Sequence, residues 1–236
     1  MISTFSVVAQ PIATWNWHFG QRAGITFRNG SVETIADGQL NTSEGCASIS
    51  DPVTGDLLFY TDGVTVWNRI HEIMPNGMGL FGDASTSQSA LIVPAPGRPS
   101  IYYIFNPAPI SSLNVGSRCW CLYYSIVDMR ADAGFGDIVK KNELLLNDIT
   151  EHVTATADCK GDGWWIVVRS RSTRHFYSLH LSRDLLSTVP VASDAGNPAI
   201  IVRESGQMHI SPDSRQLLIT STAGSSQIFD FDAQTG

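Results

Sequence analysis

Short apolar runs recur along this chain and predict a repeated antiparallel β unit. Four of them stand out, and their first residues lie 44, 63 and 53 positions apart. Each run is too short for a helix and is bounded by Gly, Pro, Asp or Ser, which is typical of strands. The four runs are 57–60 (LLFY), 101–104 (IYYI), 164–168 (WWIVV) and 217–220 (LLIT).

The same local order surrounds each run. A turn precedes it, in which proline presets φ, glycine supplies positive φ, and aspartate or serine caps the backbone. The turns are 50–56 (SDPVTGD), 94–97 (PAPG), 158–163 (DCKGDG) and 211–214 (SPDS). A shorter strand is predicted before each turn, at 47–49, 90–93, 153–155 and 208–210.

A third strand follows each run, and three of the units have a weaker fourth strand. The third strands are predicted at 64–67, 122–127, 176–180 and 228–231, and the fourth strands at 73–74, 139–146 and 188–191. Pro190 suits an outer edge strand, because its missing N–H removes no ladder hydrogen bond there. The last unit therefore lacks an outer strand.

This order predicts an all-β fold, a WD40-like β-propeller with at least four blade-like, four-stranded antiparallel units. One such meander cannot bury both of its faces, whereas a radial arrangement buries them against neighbouring units. A sandwich would not predict the same order four times. The units span about 44–85, 86–147, 150–197 and 204–236. The ring is expected to be incomplete, so that its open ends favour self-association.

The first nine residues stand apart from the propeller domain, which is placed at 10–236. Residues 4–10 (TFSVVAQ) are similar to the end of a secretory signal peptide, with small residues Val7 and Ala9 before the cut. The basic segment that begins such a signal is missing, and so is most of its apolar segment. Residues 1–9 are therefore either the remnant of a signal peptide, which would mean export, or an ordered N-terminal arm.

The charge balance excludes some classes of partner. The 236 residues carry a net charge of -7 and include only three lysines, so a nucleic-acid-binding face is not expected. The basic segment 169–175 (RSRSTRH) lies between two apolar runs and is predicted to be a hairpin loop. No run reaches the roughly 18 apolar residues of a membrane-spanning helix, so an integral membrane protein is not expected.

The reactive residues form no recognisable catalytic or metal motif. His175 and His180 lie at an odd separation on one strand and point to opposite faces, and the other histidines lack metal-ligand spacing. No metal, no cofactor and no catalytic residue are therefore predicted. The four cysteines form no CxxC pair. They are either free thiols or, in an exported chain, a disulfide joining Cys119 or Cys121 to Cys46 or Cys159.

Two residue types remain candidates for binding. Asp51, Asp56 and Asp62 lie near hairpin turns, where capping of the turn is favoured over calcium binding. Trp67, Trp164 and Trp165 lie in predicted strands and are expected to pack between blades. Trp120 adjoins the long loop 106–118 and is the one ligand-binding residue that the sequence suggests.

Six segments in the first half of the chain carry a resemblance to a known family. They are 17–27 (WHFGQRAGITF), 37–51 (DGQLNTSEGCASISD), 57–68 (LLFYTDGVTVWN), 74–77 (MPNG), 87–90 (SQSA) and 102–105 (YYIF). Together they resemble the N-terminal β-propeller of large secreted Bacteroidetes surface proteins of the gliding-motility-associated (type IX secretion) sorting-domain group. The resemblance covers about residues 15–200, and residues 209–213 (HISPD) resemble the WD40-like or TolB-like turn. It implies an extracellular role in adhesion or scaffolding and supplies no catalytic residues.

These observations favour a non-enzymatic extracellular binding or scaffold module of a cell-surface or secreted protein. Its partner would be a protein or a glycan, held by the propeller loops. One alternative is a propeller-type polysaccharide hydrolase or lyase, which needs carboxylates with shifted pKa values at the channel mouth. Another is an intracellular WD40-like scaffold for protein interactions.

Overall fold

The chain folds into small antiparallel sheets with almost no helix. The computed structural model describes residues 12–28, 30–108, 119–196, 204–222 and 224–236. These residues form five antiparallel sheets of three or four strands, arranged as a five-blade β-propeller. The predicted fold class is therefore confirmed. Residues 1–9, the predicted signal remnant or arm, lie outside the described residues.

Every blade is a meander in which each strand pairs with the next one along the chain. Blade 1 contains β1 (Asn16–Phe19), β2 (Ala23–Thr26) and β3 (Glu33–Ile35), and blade 2 contains β4 (Ala47–Ser50), β5 (Leu57–Thr61), β6 (Thr65–Asn68) and β7 (Ile73–Met78). Blade 3 contains β8 (Leu91–Pro94), β9 (Ile101–Ala108), β10 (Cys121–Asp128) and β11 (Asp137–Asn147). Blade 4 contains β12 (Ile149–Ala157), β13 (Trp164–Ser170), β14 (His175–Leu181) and β15 (Val191–Asp194), and blade 5 contains β16 (Met208–Ile210), β17 (Gln216–Thr220) and β18 (Ser226–Asp230).

Blade 1 is the part of the fold that the sequence pattern missed. Its strands are only three or four residues long. In β1, Asn16 and His18 are buried, whereas Trp17 and Phe19 are exposed. Because the buried positions are polar and the apolar ones face outward, no apolar run marks the strand. The repeat therefore has five members, and its first copy has three strands among the described residues.

The outer strand of blade 4 lies a few residues further along the chain than predicted. Pro190 was expected within an edge strand, but β15 begins at Val191 and pairs with β14 through residues 191–194. A proline directly before the first paired residue removes no donor from the ladder. The fifth blade has three strands among the described residues, as predicted.

The predicted turns form for the expected reasons. The Asp51 carboxylate accepts hydrogen bonds from the N–H groups of Val53 and Thr54 at 2.8 and 2.9 Å. Asp62 does the same for Val64 and Thr65 at 2.8 and 2.7 Å. These carboxylates therefore cap turns, as the sequence favoured.

The apolar core lies between consecutive blades. Among the described residues, three clusters of buried side chains join blades 2 and 3, 3 and 4, and 4 and 5, and a fourth packs Leu40, from the segment that follows blade 1, against blade 2. Trp67 and Trp165 are buried in two of these clusters, which confirms their predicted packing role. Among the described residues no apolar cluster joins blade 5 to blade 1. The incomplete ring stays a prediction.

The outward faces of the first and last blades carry exposed apolar side chains. Trp17 and Phe19 are exposed on blade 1, and Leu218 and Ile228, which are cross-strand partners, are exposed on blade 5. Such faces are where the predicted self-association would occur. Self-association itself stays a prediction.

Helix is confined to short turns in the described part of the chain. The two that it contains, Ile12–Thr14 and Asp132–Gly134, are single 3-10 turns. Within the same residues, no helix has the length and apolar character needed to cross a membrane.

Candidate functional site

The first strands of the blades surround the propeller axis. β1 contacts β4, β4 contacts β8, β8 contacts β12, and β12 contacts β16. The inner strands of a propeller lie side by side along its axis, so the residues at their starts meet at one end. That end is called the axial mouth here.

A polar cavity of about 620 Å³ opens at the axial mouth, and we call it the axial pocket. Its lining consists of Glu44, Ser85, Ser87, Glu151, Ser205, Gly206, Gln207, Thr220, Ser221 and Thr222. Its volume lies in the range of small-molecule sites, about 300–1,000 Å³. None of these lining residues is basic, so the pocket presents hydroxyl groups and negative charge.

The segment before β8 holds the walls of the pocket together. The Gln88 side-chain oxygen accepts hydrogen bonds from the N–H of Val153 at 3.2 Å and the N–H of Met208 at 2.9 Å. One side chain of blade 3 thus binds the inner strands of blades 4 and 5. On the other side, the Ser89 hydroxyl donates to the carbonyl of Gly45 at 2.6 Å. The blades at the mouth are therefore connected by directional hydrogen bonds.

Glu151 lies on a bulge in the inner strand of blade 4. The pairing of β12 with β13 shifts between Ile149 and Val153, which leaves residues 150–152 out of the regular ladder. Bulges of this kind redirect side chains next to functional sites. Glu151 is only 7% exposed, and its carboxylate accepts a hydrogen bond from the N–H of Ser87 at 2.8 Å. Backbone irregularity therefore directs a carboxylate towards the axis.

Burial raises the pKa of the Glu151 carboxyl, and the negative charges of Glu44 and Asp83 raise it further. Hydrogen bonds from Ser87 oppose part of this shift. The cause is general, since burial and like charges both disfavour the ionised form. A carboxyl in this state can exchange a proton closer to neutral pH than an ordinary glutamate.

His152, the next residue on the bulge, has a structural role. Its Nε2 lies 2.9 Å from the carbonyl oxygen of Thr220, and its Nδ1 lies 2.9 Å from the Thr150 hydroxyl. Because a carbonyl only accepts, Nε2 carries the proton and Nδ1 accepts from Thr150. Burial lowers the pKa of His152 to about 4, so the ring is neutral near pH 7. Both ring nitrogens are engaged, so His152 joins blades 4 and 5 and is not free for a ligand.

Gly206 allows two walls of the pocket to approach each other. A Cβ at this position would lie 2.1 Å from the carbonyl oxygen of Thr220 and 2.9 Å from Nε2 of His152, and φ is +148°. We expect Gly206→Ala to lower the free energy of unfolding by about 1–3 kcal/mol, through backbone strain and overpacking. Urea denaturation followed by tryptophan fluorescence measures this loss.

Gly161→Ala is the matched control for that substitution. Gly161 also has positive φ, +72°, but a Cβ there would have no neighbour within 4 Å. The control therefore reports only the backbone contribution. Equal losses in the two variants would contradict a role for the close approach to Thr220.

The one ligand-binding residue suggested by the sequence lies apart from this pocket. Trp120 precedes β10, is half-buried, and does not line the axial pocket. The Arg171 guanidinium lies over its ring, 5.1 Å from the centroid, and Arg171 also pairs with Glu204 at 3.4 Å. Its binding role stays a prediction. The predicted hairpin loop of the basic segment does form, between β13 and β14.

The cysteines pair differently from the expected alternatives. Cys119 and Cys121 form a disulfide with each other across Trp120, while Cys46 and Cys159 are free. The sequence had considered bonds from Cys119 or Cys121 only to Cys46 or Cys159. Two side chains at i and i+2 share one face of an extended segment, which places both sulfurs together.

The site residues Glu44, Ser87, Glu151 and Gln207 were missed by sequence reasoning. They come from four separate segments, so no local motif contains them. One signal was present: Glu151 and His152 interrupt an otherwise uncharged strand, 149–157. A charged residue inside such a strand must have a partner or a function.

Comparisons with known proteins add little beyond the fold. No protein-family model matches the chain, and no curated protein matches its sequence. A solved structure, hydrazine synthase of Kuenenia stuttgartiensis, is similar over 94% of this chain and 67% of its own, at 11% identity and a TM-score of 0.46. The propeller assignment therefore rests on the five sheets and their order in the chain.

Proposed function

We propose that this protein is a non-enzymatic extracellular binding module that holds its ligand in the axial pocket. The observation that carries the proposal is the lining: carboxylates and hydroxyl groups converge there from the starts of several blades, without a basic side chain. Propellers commonly bind partners at the ends of the channel. The extracellular placement is supported by the resemblance to secreted surface proteins and by the signal-like residues 4–10.

The charge of the pocket narrows the ligand class. Carboxylate oxygens only accept hydrogen bonds, and serine and threonine hydroxyls both accept and donate. A fitting ligand therefore presents several O–H or N–H donors and carries no negative charge. Glycans with neutral or amino sugars meet this condition, and so do protein segments that expose a lysine or arginine.

Arrays of neutral, amino-containing and acidic glycans, printed beside basic and acidic peptides, test the ligand class. We expect binding to the neutral or basic probes and none to the acidic ones. For the best probe, Glu151→Gln should weaken binding by about 10- to 100-fold, because a hydrogen bond to a charged group is lost. Isothermal titration calorimetry measures the change.

Glu143→Gln is the matched control, since Glu143 is a half-exposed glutamate paired with Lys140 on the outer strand of blade 3. Its affinity for the probe should equal that of the unaltered protein. If Glu151→Gln and Glu143→Gln bind alike, the ligand does not occupy the axial pocket.

One observation favours a second candidate, a polysaccharide hydrolase or lyase. Glu151, with its raised pKa, and Glu44 line the same cavity, and catalysis on sugars uses such a pair as acid and base. Release of reducing or unsaturated ends from a polysaccharide panel, abolished in both Glu151→Gln and Glu44→Gln, would replace the binding proposal by this one.

A further inference from the structure

Two histidines and an aspartate converge at the seam between blades 1 and 2. His18 lies on β1, Asp37 follows β3, and His71 lies in the turn between β6 and β7. One imidazole nitrogen of each histidine and one carboxylate oxygen all lie within 4.8 Å of one another. None of these residues lines the axial pocket, so this is a separate site.

Within the part of the chain that the structure describes, His18 carries a buried ring nitrogen without a hydrogen-bond partner at this seam. The residue is only 3% exposed, and its Nε2 has no hydrogen-bond partner among the described residues. Buried polar atoms are almost always paired, because an unpaired one loses its hydration without compensation. A bound ion would supply the missing interaction.

The surrounding residues hold the cluster in an ordered arrangement. The Tyr60 ring stacks on His18, with centroids 4.4 Å apart. The Tyr60 hydroxyl lies 3.1 Å from Nδ1 of His71 and accepts the N–H of Gln39 at 2.9 Å. Since Nδ1 of His71 is occupied by Tyr60, Nε2 is left to face Asp37, whose carboxylate lies 3.4 Å away. Outer hydrogen bonds of this kind orient the imidazoles of metal sites.

Access and space also suit a small ion. Asp37 is 62% exposed at its side chain, which leaves the cluster open to solvent on one side. Gly38 brings the backbone against the His18 ring, because a Cβ there would lie 2.6 Å from Nδ1 of His18. A larger residue at position 38 would fill the space beside the histidine.

We propose that His18, Asp37 and His71 form a binding site for a divalent transition metal, with Zn²⁺ as the best match. Two imidazoles and one carboxylate are a common donor set for Zn²⁺, and a solvent-facing fourth position completes tetrahedral coordination. The ligands of such an ion, at about 2.0–2.2 Å from it, lie only a little over 3 Å apart, so a small closure of the cluster would suffice. Blade 1 contributes two of the ligands and blade 2 the third, and the ion would therefore connect the two blades.

The test uses the whole chain, treated with chelator and then titrated with Zn²⁺ and Co²⁺. Cys159 is exposed and would compete for either metal, so all variants carry Cys159→Ser. We expect one ion per chain and visible absorption from bound Co²⁺. At about 100-fold above the Kd, Zn²⁺ should raise Tm by about 5–10 °C.

Asp37→Asn and His71→Gln are each expected to weaken Zn²⁺ binding by at least about tenfold. Mutating a residue that only supports a metal ligand by a hydrogen bond typically weakens binding by that much, and removing the ligand itself should weaken it at least as much. His209→Gln, on blade 5, is the control and should bind like the parent chain. Asp37 is exposed, so its variant should melt like the parent in the absence of metal. Equal affinity in Asp37→Asn, His71→Gln and His209→Gln, or no binding by the parent, would overturn the proposal. Mg²⁺ binding as tight as Zn²⁺ binding would contradict the metal class.

Discussion

Phe105→Ala is expected to lower the free energy of unfolding by about 3–5 kcal/mol, the range for large-to-small changes of buried aromatic residues. Phe105 lies on β9, is 0% exposed, and belongs to the apolar cluster that joins blades 3 and 4. Its ring stacks on Tyr103 with centroids 6.0 Å apart and lies 6.4 Å from the ring of Tyr124. Removing it leaves a cavity between two blades. Urea denaturation at pH 7 measures the loss.

Val189→Ala controls for the general effect of shortening an apolar side chain. Val189 is 78% exposed, so its free energy of unfolding should change by less than about 0.5 kcal/mol. A loss for Phe105→Ala that is no larger than the loss for Val189→Ala would mean that the seam between blades 3 and 4 does not stabilise the fold.

Acidification from pH 6.5 to 4 is expected to destabilise the protein by about 3 kcal/mol through His152 alone. The pKa of this buried imidazole is lowered from 6.5 to about 4. Between these values the unfolded chain binds a proton that the folded chain does not, so stability is full above pH 6.5 and is lost as pH falls towards 4. The difference of about 2.5 pH units, at about 1.4 kcal/mol each, amounts to between about 3 and 4 kcal/mol well below pH 4. About 3 kcal/mol of this is lost by pH 4, because the folded imidazole is then half protonated.

Other groups act in the same range or below it, so the histidine needs its own variant. Burial likewise lowers the pKa of His18 to about 4, whereas the raised pKa of Glu151 works in the opposite direction, adding stability as pH falls. His152→Gln removes only the contribution of His152. Plots of unfolding free energy against pH should therefore be less steep for His152→Gln between pH 6.5 and 4. Parallel plots for the variant and the parent would show that this imidazole is not responsible.

The order of the strands could be predicted because each blade repeats it locally. The turn before β5, with Asp51, and the hairpin after it, with Asp62, form by contacts within a few residues. Contacts between residues that are neighbours in the chain can be recognised from the sequence alone. Blade 1 shows no recognisable apolar run, because its inner strand buries Asn16 and His18 and exposes Trp17 and Phe19. Its burial is decided by blade 2, which the sequence pattern of residues 16–35 does not contain.

The candidate sites could not be predicted from the spacing of residues, because their members come from segments that are distant in the sequence. The pKa of Glu151 is raised mainly by burial between blades and further by the charges of Glu44 and Asp83, which lie on other segments of the chain. His18 and His71 are 53 positions apart, the wrong distance for any histidine metal motif within one element. Only the packing of neighbouring blades around an axis brings such residues together.

The sequence by itself determined the class of fold, because apolar runs, prolines and glycines act on their immediate neighbours. It determined the order of strands within four of the blades and the capped turns. The tertiary structure decided the number of blades, the axial pocket and the histidine cluster. Burial, shifted pKa values and shared ligand sites depend on distances between segments, and those distances exist only once the blades pack against one another.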